Sequence, residues 1–203
     1  GSSPEPATMS AFGRFVHDVA ADYAAMEAAR GKYHGDRRSL AALPGSLVTR
    51  IGFQMATAVR AMHLLRDARV PFGAQVASRL IRHLYGAEIH WDAELAPGVA
   101  FVHGNGVVLS HAARVGAGCI LFHNVTLGET MDPVTKIQGA PTLGANVHVG
   151  PGAVLLGPIS VGEGSKIMAG AVLTESVPPG SVVRPAPVEI VRRKNHAPAP
   201  SHD

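Results

Sequence analysis

Two of the eleven histidines, His103 and His123, occupy equivalent places in a repeating pattern. Each is the third residue of a six-residue unit, the first beginning at Phe101 and the second at Leu121. A neutral imidazole can accept a proton from a hydroxyl group near physiological pH, and it is also a common metal ligand. No carboxylate or thiol completes a convincing metal-binding set around these residues, so we expect no metal ion there.

The spacing of apolar residues indicates which structural elements position these histidines. Apolar residues recur every six positions over most of 89–178. The unbroken run is Leu143, Val149, Leu155, Val161, Ile167 and Leu173. Four places after each of these lies a small or β-branched residue, which suits the inside of a narrow coil. A β-sandwich could mimic the period by chance. The matched small residues instead predict a mainly β fold, a left-handed parallel β-helix of hexapeptide repeats with about three units to each triangular coil.

Two irregularities interrupt the repeat. The phase slips by two residues near 107–109, and ten extra residues precede Leu143, so 128–142 is predicted to leave the coil as an extruded loop. Loops on a rigid scaffold are where binding groups collect. With about eighteen residues per coil plus the slip, the twenty residues between His103 and His123 stack one histidine over the other on consecutive coils.

The chain divides into four parts. We expect a tag or disordered start over 1–9, an α-helical segment over 10–86, the β-helix domain over 87–191 and a flexible tail over 192–203. The start lacks the charged-then-apolar order of a signal peptide. The apolar faces of the helical segment are modest, so it should pack against the β-helix or another subunit.

Three helices are predicted in the helical segment from its apolar spacing and its breakers. The first covers 10–29 and is broken by 31–36. The second covers 46–69, after a stop at Pro44-Gly45, and the third covers 73–85.

Composition excludes several classes of protein. The 18 basic and 15 acidic residues are too balanced for a nucleic-acid footprint, and no apolar run approaches the roughly 20 residues of a membrane-spanning helix. The single cysteine, Cys119, rules out an internal disulfide framework. We therefore expect a cytoplasmic protein that binds neither nucleic acid nor membranes.

Residues 87–191 resemble the serine O-acetyltransferase branch of the hexapeptide acyltransferases, which move an acetyl group from acetyl-CoA to a hydroxyl. The motifs that carry the resemblance are Ala87-Glu88-Ile89-His90, Val102-His103-Gly104-Asn105-Gly106-Val107-Val108, Val125-Thr126-Leu127-Gly128, Val149-Gly150-Pro151-Gly152-Ala153, Met168-Ala169-Gly170-Ala171-Val172 and Val177-Pro178-Pro179-Gly180. The helical segment resembles shorter members of the family only loosely.

The resemblance implies catalytic roles for His103 and Glu88. His103 matches the general base, and Glu88, fifteen residues earlier, stands where the family has an Asp that orients the base. Such a carboxylate fixes the tautomer of the imidazole and stabilises the imidazolium that forms. His123, Asn105 and Lys136 are the predicted acceptor-binding residues, although a purely structural role for His123 stays open.

The cosubstrate implied by the resemblance is acetyl-CoA, lying in a groove between neighbouring coils of two subunits. Gly128, Pro151 and Ala169 match the residues that line this groove, and Pro151 has no N–H to donate. Pro151 and Ala169 are eighteen residues apart, so they should stack one coil apart. The resemblance implies a homotrimer, and a dimer of trimers stays open.

Several positions depart from the family and leave the acceptor open. Val102 replaces an Asp beside the base, and Gly139-Ala140 replaces an Arg-His pair that holds the acceptor's carboxylate. Lys136, Asp132 or Asp36 could substitute for these charges. L-serine or a serine-like hydroxy amino acid is the first expectation. The alternatives are a sugar or secondary-metabolite hydroxyl, and a non-catalytic hexapeptide scaffold.

The end of the chain also departs from the family. Members that dock onto the sulfhydrylase of cysteine synthesis end in an apolar residue, whereas this chain ends in His202-Asp203. We therefore expect no such docking through the tail.

Overall fold

The computed structural model describes residues 9–34 and 43–189. The helices in these ranges are α1 (Ala11–His34), α2 (Leu43–Thr49), α3 (Ile51–Asp67) and α4 (Gly73–Tyr85). The strands are β1 (Glu88–Ile89), β2 (Glu94–Leu95), β3 (Ala100–Val102), β4 (Val108–Leu109), β5 (Arg114–Val115), β6 (Ile120–Phe122), β7 (Thr126–Gly128), β8 (Thr130–Met131), β9 (Gln138–Gly139), β10 (Thr142–Leu143), β11 (His148–Val149), β12 (Val154–Leu156), β13 (Ser160–Val161), β14 (Lys166–Ile167), β15 (Val172–Leu173) and β16 (Val182–Val183). The predicted tail over 192–203 lies outside the described residues.

Three parallel sheets form the faces of a solenoid. Face A has the strand order β1-β4-β7-β12-β15, face B has β13-β10-β5-β2, and face C has β16-β14-β11-β6-β3. Successive strands of the chain visit different faces, and each pairs with the strand one coil away. In regular coils the partners are eighteen residues apart, as for Leu155 and Leu173. The predicted fold class, a left-handed parallel β-helix with an N-terminal helical segment, is confirmed.

The predicted six-residue set forms the core of the solenoid. All six members from Leu143 to Leu173 are buried, and Val149 and Leu155 have no exposed surface. Each is the second residue of a strand, and the residue before it faces outward because side chains alternate along a strand. Cys119 also lies inside, where burial raises the pKa of its thiol to about 11, so the thiol is unreactive.

The two predicted irregularities both exist. Val102 pairs with Phe122 and Val108 with Thr126, so the two extra residues lie between Val102 and Val108, slightly earlier than the sequence indicated. The extra ten residues form an excursion that contains the antiparallel pair β8 and β9, which we call the extruded hairpin (residues 128–142).

The helices cap the open end of the first coil, where backbone groups would otherwise lack strand partners. Arg60 of α3 donates to the carbonyl oxygens of Leu95 at 2.6 Å and Ala96 at 2.8 Å. Asp22 of α1 accepts from the amide of Val99 at 3.0 Å and from Arg60 Nε at 2.8 Å. Burial raises the pKa of the Asp22 carboxyl, and its hydrogen bonds, with that of Arg60 foremost, oppose the shift. We call this arrangement the helical cap.

Two predicted helix boundaries are wrong. α1 continues through Gly31 to His34, because one glycine costs a helix only about 1 kcal/mol. Pro44 lies in the first turn of α2, where a missing N–H is tolerated, and the expected 46–69 helix is interrupted at Arg50, whose backbone is extended. α4 has the predicted bounds. No helix within the described ranges combines the length and hydropathy needed to cross a bilayer.

Candidate active site

One corner of the solenoid, where the chain passes from face C to face A, aligns four of the predicted site residues in a column. Strand pairing aligns Phe101, Leu121, Val149 and Ile167 on successive coils. Two residues further along lie His103, His123, Pro151 and Ala169. Backbone hydrogen bonds from Gly152 to the His123 carbonyl (3.1 Å) and from Gly170 to the Pro151 carbonyl (2.9 Å) continue the column.

The corner at His103 is wider than the others because it holds the two extra residues. We call residues 103–106 the His103 corner. His103 is exposed and has a left-handed backbone with φ of 69°, which is uncommon for a residue with a Cβ. Gly104 also has a positive φ, of 74°, and a Cβ there would lie 2.9 Å from the end of the Met55 side chain. Met55 of helix α3 therefore packs directly against the backbone of the His103 corner.

The two imidazoles face each other edge to face. The His103 and His123 ring centroids are 5.7 Å apart with an angle of 67° between the rings. His123 is half-buried, and its Nδ1 has no hydrogen-bond partner among the described residues. Buried polar atoms normally have partners, so the stacking expected from spacing brings an imidazole with unused hydrogen-bonding capacity beside His103.

Glu88 lies near this corner but its carboxylate does not reach the imidazole. The backbone N–H of Glu88 donates to the Val107 carbonyl at 2.8 Å, which fixes the strand next to the corner. The carboxylate pairs with Arg82 of α4 at 3.5 Å. Within 9–34 and 43–189, no hydrogen bond joins Glu88 to His103. The two residues of the expected catalytic pair are thus not hydrogen-bonded to each other, and the Glu88 carboxylate pairs with Arg82 instead.

The remaining predicted residues are spread over the corner and the hairpin. Asn105 lies in the His103 corner, and its carbonyl accepts from the Asn124 amide at 2.8 Å. Gly128 ends β7 at the opposite edge of face A. Lys136 lies near the tip of the extruded hairpin with φ of 58°. Gly128 and Lys136 are not brought to the His103 corner of their own chain. Asp36 lies outside the described residues.

Comparisons with known proteins agree with this architecture. A family profile described as Bacterial transferase hexapeptide (six repeats) matches residues 140–175. Over 132 residues the chain is 39% identical to a Helicobacter pylori serine acetyltransferase, covering 64% of this chain and 75% of that protein. The structure superposes on the Neisseria gonorrhoeae serine acetyltransferase in complex with serine, with a TM-score of 0.73 and 27% identity over 89% of this chain and 71% of that one.

The chain belongs to the serine acetyltransferase family. The resemblance seen in residues 87–191 is thereby confirmed. A second member, from Synechococcus elongatus, is 40% identical over 142 residues, which are 70% of this chain. The match covers only 57% of the length of that relative.

Two features of this family member were not anticipated from its sequence. The first is Arg82, whose approach to Glu88 depends on how α4 packs. The second is the stacking of Phe122 on His148, with ring centroids 5.2 Å apart and nearly parallel planes. Alternation along β6 could have indicated that Phe122 faces outward beside the corner, since Leu121 faces inward.

Metal binding has no structural support in the described part of the chain, where no three His, Cys, Asp or Glu side chains are grouped so as to hold an ion. The expectation of no metal stays a prediction.

A separate cavity of about 410 Å³ lies between the helices and face B, lined in part by Arg14, His63 and Arg114. Burial, followed by the nearby Arg66 and Arg60, lowers the pKa of His63 to about 4. This cavity is distinct from the His103 column.

Proposed function

We propose that the protein transfers the acetyl group of acetyl-CoA to the hydroxyl of L-serine or a serine-like hydroxy amino acid. The observation that carries the proposal is the column of His103, His123, Pro151 and Ala169 along one corner, in a chain of the serine acetyltransferase family. Within this column His103 lies at one end of a backbone track suited to an extended ligand, which supports its role as the base. Family members solved with serine bound support the choice of acceptor.

The chemistry assigned to His103 is general base catalysis. Its neutral imidazole accepts the proton of the acceptor hydroxyl as the oxygen attacks the thioester carbonyl. The tetrahedral intermediate then collapses, the C–S bond breaks, and the imidazolium returns the proton to the CoA sulfur. Glu88 would orient the imidazole, and His123 and Asn105 would contact the acceptor.

The acetyl-CoA arm would run along the column. Pro151 and Ala169 are adjacent in it, and the Pro151 carbonyl already accepts from Gly170, which leaves its second lone pair for a ligand. At Gly128 a Cβ would lie 2.6 Å from Leu156 Cδ2, so the absence of a side chain there leaves room for Leu156 on the neighbouring coil.

A homotrimer would bring Gly128 and Lys136 of one subunit to the His103 corner of the next. The outward side chains support such packing. On face A they include Val108, Val154 and Val172, whereas on face B they are polar or charged, as with Glu94 and Arg114. An apolar face is a common basis for symmetric association. Light scattering should give the mass of three chains or of six, and a monomeric mass would contradict the shared groove.

An uncharged hydroxyl acceptor, such as a sugar or a secondary metabolite, is the second candidate. The observation that favours it is the apolar pair Val102 and Phe122, aligned on neighbouring coils directly before the two histidines. A zwitterionic acceptor gains nothing from this pair, whereas an apolar or sugar ring could pack on it.

Release of CoA thiol from acetyl-CoA tests both candidates. Wild type, His103→Ala and the surface variant His83→Ala are compared with L-serine, L-homoserine and simple sugars as acceptors. We expect turnover with L-serine that falls about 100-fold or more in His103→Ala and is unchanged in His83→Ala. Turnover with sugars alone would favour the second candidate. Silence with every acceptor, together with no binding of acetyl-CoA, would indicate a scaffold.

A further inference from the structure

The end of helix α4 lies against the His103 corner and brings an arginine with it. α4 ends at Tyr85, and the carbonyl of Gly86 accepts from the Gly106 amide at 2.9 Å. Arg82 lies in the last turn of this helix, and 64% of its side chain is exposed. In the part of the chain that the structure describes, its guanidinium is paired with Glu88 alone.

This ion pair is weak and can be exchanged. Glu88 is 59% exposed, and the 3.5 Å separation is longer than a charge-assisted hydrogen bond. Exposed pairs of this kind contribute little to stability, because water screens the charges. A guanidinium can instead hold a carboxylate through two parallel hydrogen bonds, which is stronger and more specific. A ligand carboxylate can therefore displace Glu88 at little cost.

We propose that Arg82 binds the carboxylate of the acceptor and that this binding releases Glu88 to orient His103. The inference rests on the proposed function and assigns it a specificity-determining residue. Before the acceptor binds, Arg82 holds Glu88 away from the imidazole. When the acceptor's carboxylate occupies Arg82, the Glu88 carboxylate turns to the adjacent corner and accepts a hydrogen bond from His103.

The arrangement links acceptor identity to assembly of the base. A hydroxy amino acid supplies the carboxylate that frees Glu88. A hydroxyl compound without a carboxylate leaves Glu88 on Arg82, so His103 acts without its orienting partner. Serinol tests this distinction, because it resembles serine but has a hydroxymethyl group where serine has its carboxylate.

The experiment compares kcat and KM for L-serine and for serinol in wild type, Arg82→Gln and Arg79→Gln. Arg79 is the matched control, since it lies one turn earlier on α4 and is also exposed. In Arg82→Gln we expect kcat/KM for L-serine to fall about 30-fold or more, mainly through KM, because two charge-assisted hydrogen bonds are lost. For serinol we expect no loss or a gain, because Glu88 is already free. Arg79→Gln should stay within about twofold for both acceptors, as is usual for a solvated surface position.

Three outcomes would overturn the inference. An equal loss with both acceptors in Arg82→Gln would show a structural role, and an unchanged kcat/KM for both would show that another group holds the carboxylate. Serinol outperforming L-serine in wild type would also contradict it. These results differ from failure of the proposed function, in which wild type acetylates neither compound and the role of Arg82 falls with it. Arg82→Lys, which keeps the charge but not the two-pronged geometry, should restore only part of the L-serine activity.

Discussion

Arg60 and Arg82 both pair with a carboxylate, but in different regions of the molecule. In the helical cap, Arg60 and Asp22 are 3% and 2% exposed, and the guanidinium meets both carboxylate oxygens at 2.8 and 2.9 Å. At the His103 corner, Arg82 and Glu88 are 64% and 59% exposed and 3.5 Å apart. Removing one partner from the first pair leaves a buried charge, whereas water replaces either partner of the second. The cap pair is thus part of the fold, and the corner pair is available for ligand exchange.

The largest effect on stability is expected when one charge is removed from the helical cap. Asp22→Asn should lower the free energy of unfolding by about 3 to 5 kcal/mol, because it leaves the Arg60 guanidinium buried without its counter-charge. Denaturant titration measures the change. Asp18→Asn is the control. Asp18 lies on the same helix, but it is farther from Arg60, at 3.4 Å, and is half-buried. A loss below 1 kcal/mol in Asp22→Asn would show that the cap does not depend on this pair.

His63, also in the cap region, should make stability depend on pH. Its pKa is about 4 in the folded protein and about 6.5 when unfolded, so the unfolded chain takes up a proton first as pH falls. The contribution of neutral His63 to the free energy of unfolding is fully present above pH 6.5. As the pH falls towards 4, this contribution is lost and the free energy of unfolding decreases by about 3 kcal/mol. His63→Gln should remove this part of the dependence. The assignment would be contradicted if the free energy of unfolding changed with pH by the same amount in wild type and in His63→Gln.

Substitution of Gly104 in the His103 corner should destabilise the protein, although less than Asp22→Asn does in the helical cap. Gly104→Ala adds a Cβ at φ of 74° and 2.9 Å from the Met55 side chain, so we expect a loss of about 1 to 2 kcal/mol and a larger relative fall in activity. Gly152→Ala is the matched control, with φ of 68° and open space around the new Cβ. Similar losses in the two variants would show that backbone strain alone matters, and that contact with α3 does not.

The smallest stability effect should come from the corner pair itself. Glu88→Gln is expected to change the free energy of unfolding by less than about 0.5 kcal/mol, while lowering kcat for L-serine. Thermal unfolding and steady-state kinetics on the same preparation separate the two effects. A stability loss comparable to that of Asp22→Asn would erase the distinction between the two regions.

The repeat could be predicted from the sequence because each coil is stabilised by its own inward residues. Leu143 to Leu173 contact the core at positions set by local alternation, so spacing alone is sufficient. The cap could not be predicted in this way. The partners Asp22 and Arg60 are 38 residues apart, and nothing local indicates that they meet.

Part of the candidate site could be predicted from the sequence for the same reason. The alignment of His103 with His123 follows from the length of a coil. The orientation of Glu88 does not, because it depends on Arg82 and therefore on the packing of α4. Likewise, Pro44 indicated a helix stop, although the first turn of a helix accepts proline.

The extruded hairpin enters and leaves the solenoid without altering its pairing. Val115 pairs with Leu143 across the excursion just as Leu143 pairs with Val161 across an ordinary coil. The hairpin is therefore an interchangeable module: its length and composition can diverge during evolution, or be exchanged by loop grafting, while the coils on either side keep their register. Under the proposed function, exchanging this module would change the acceptor contacts of Lys136 while the coils that carry His103 keep their pairing.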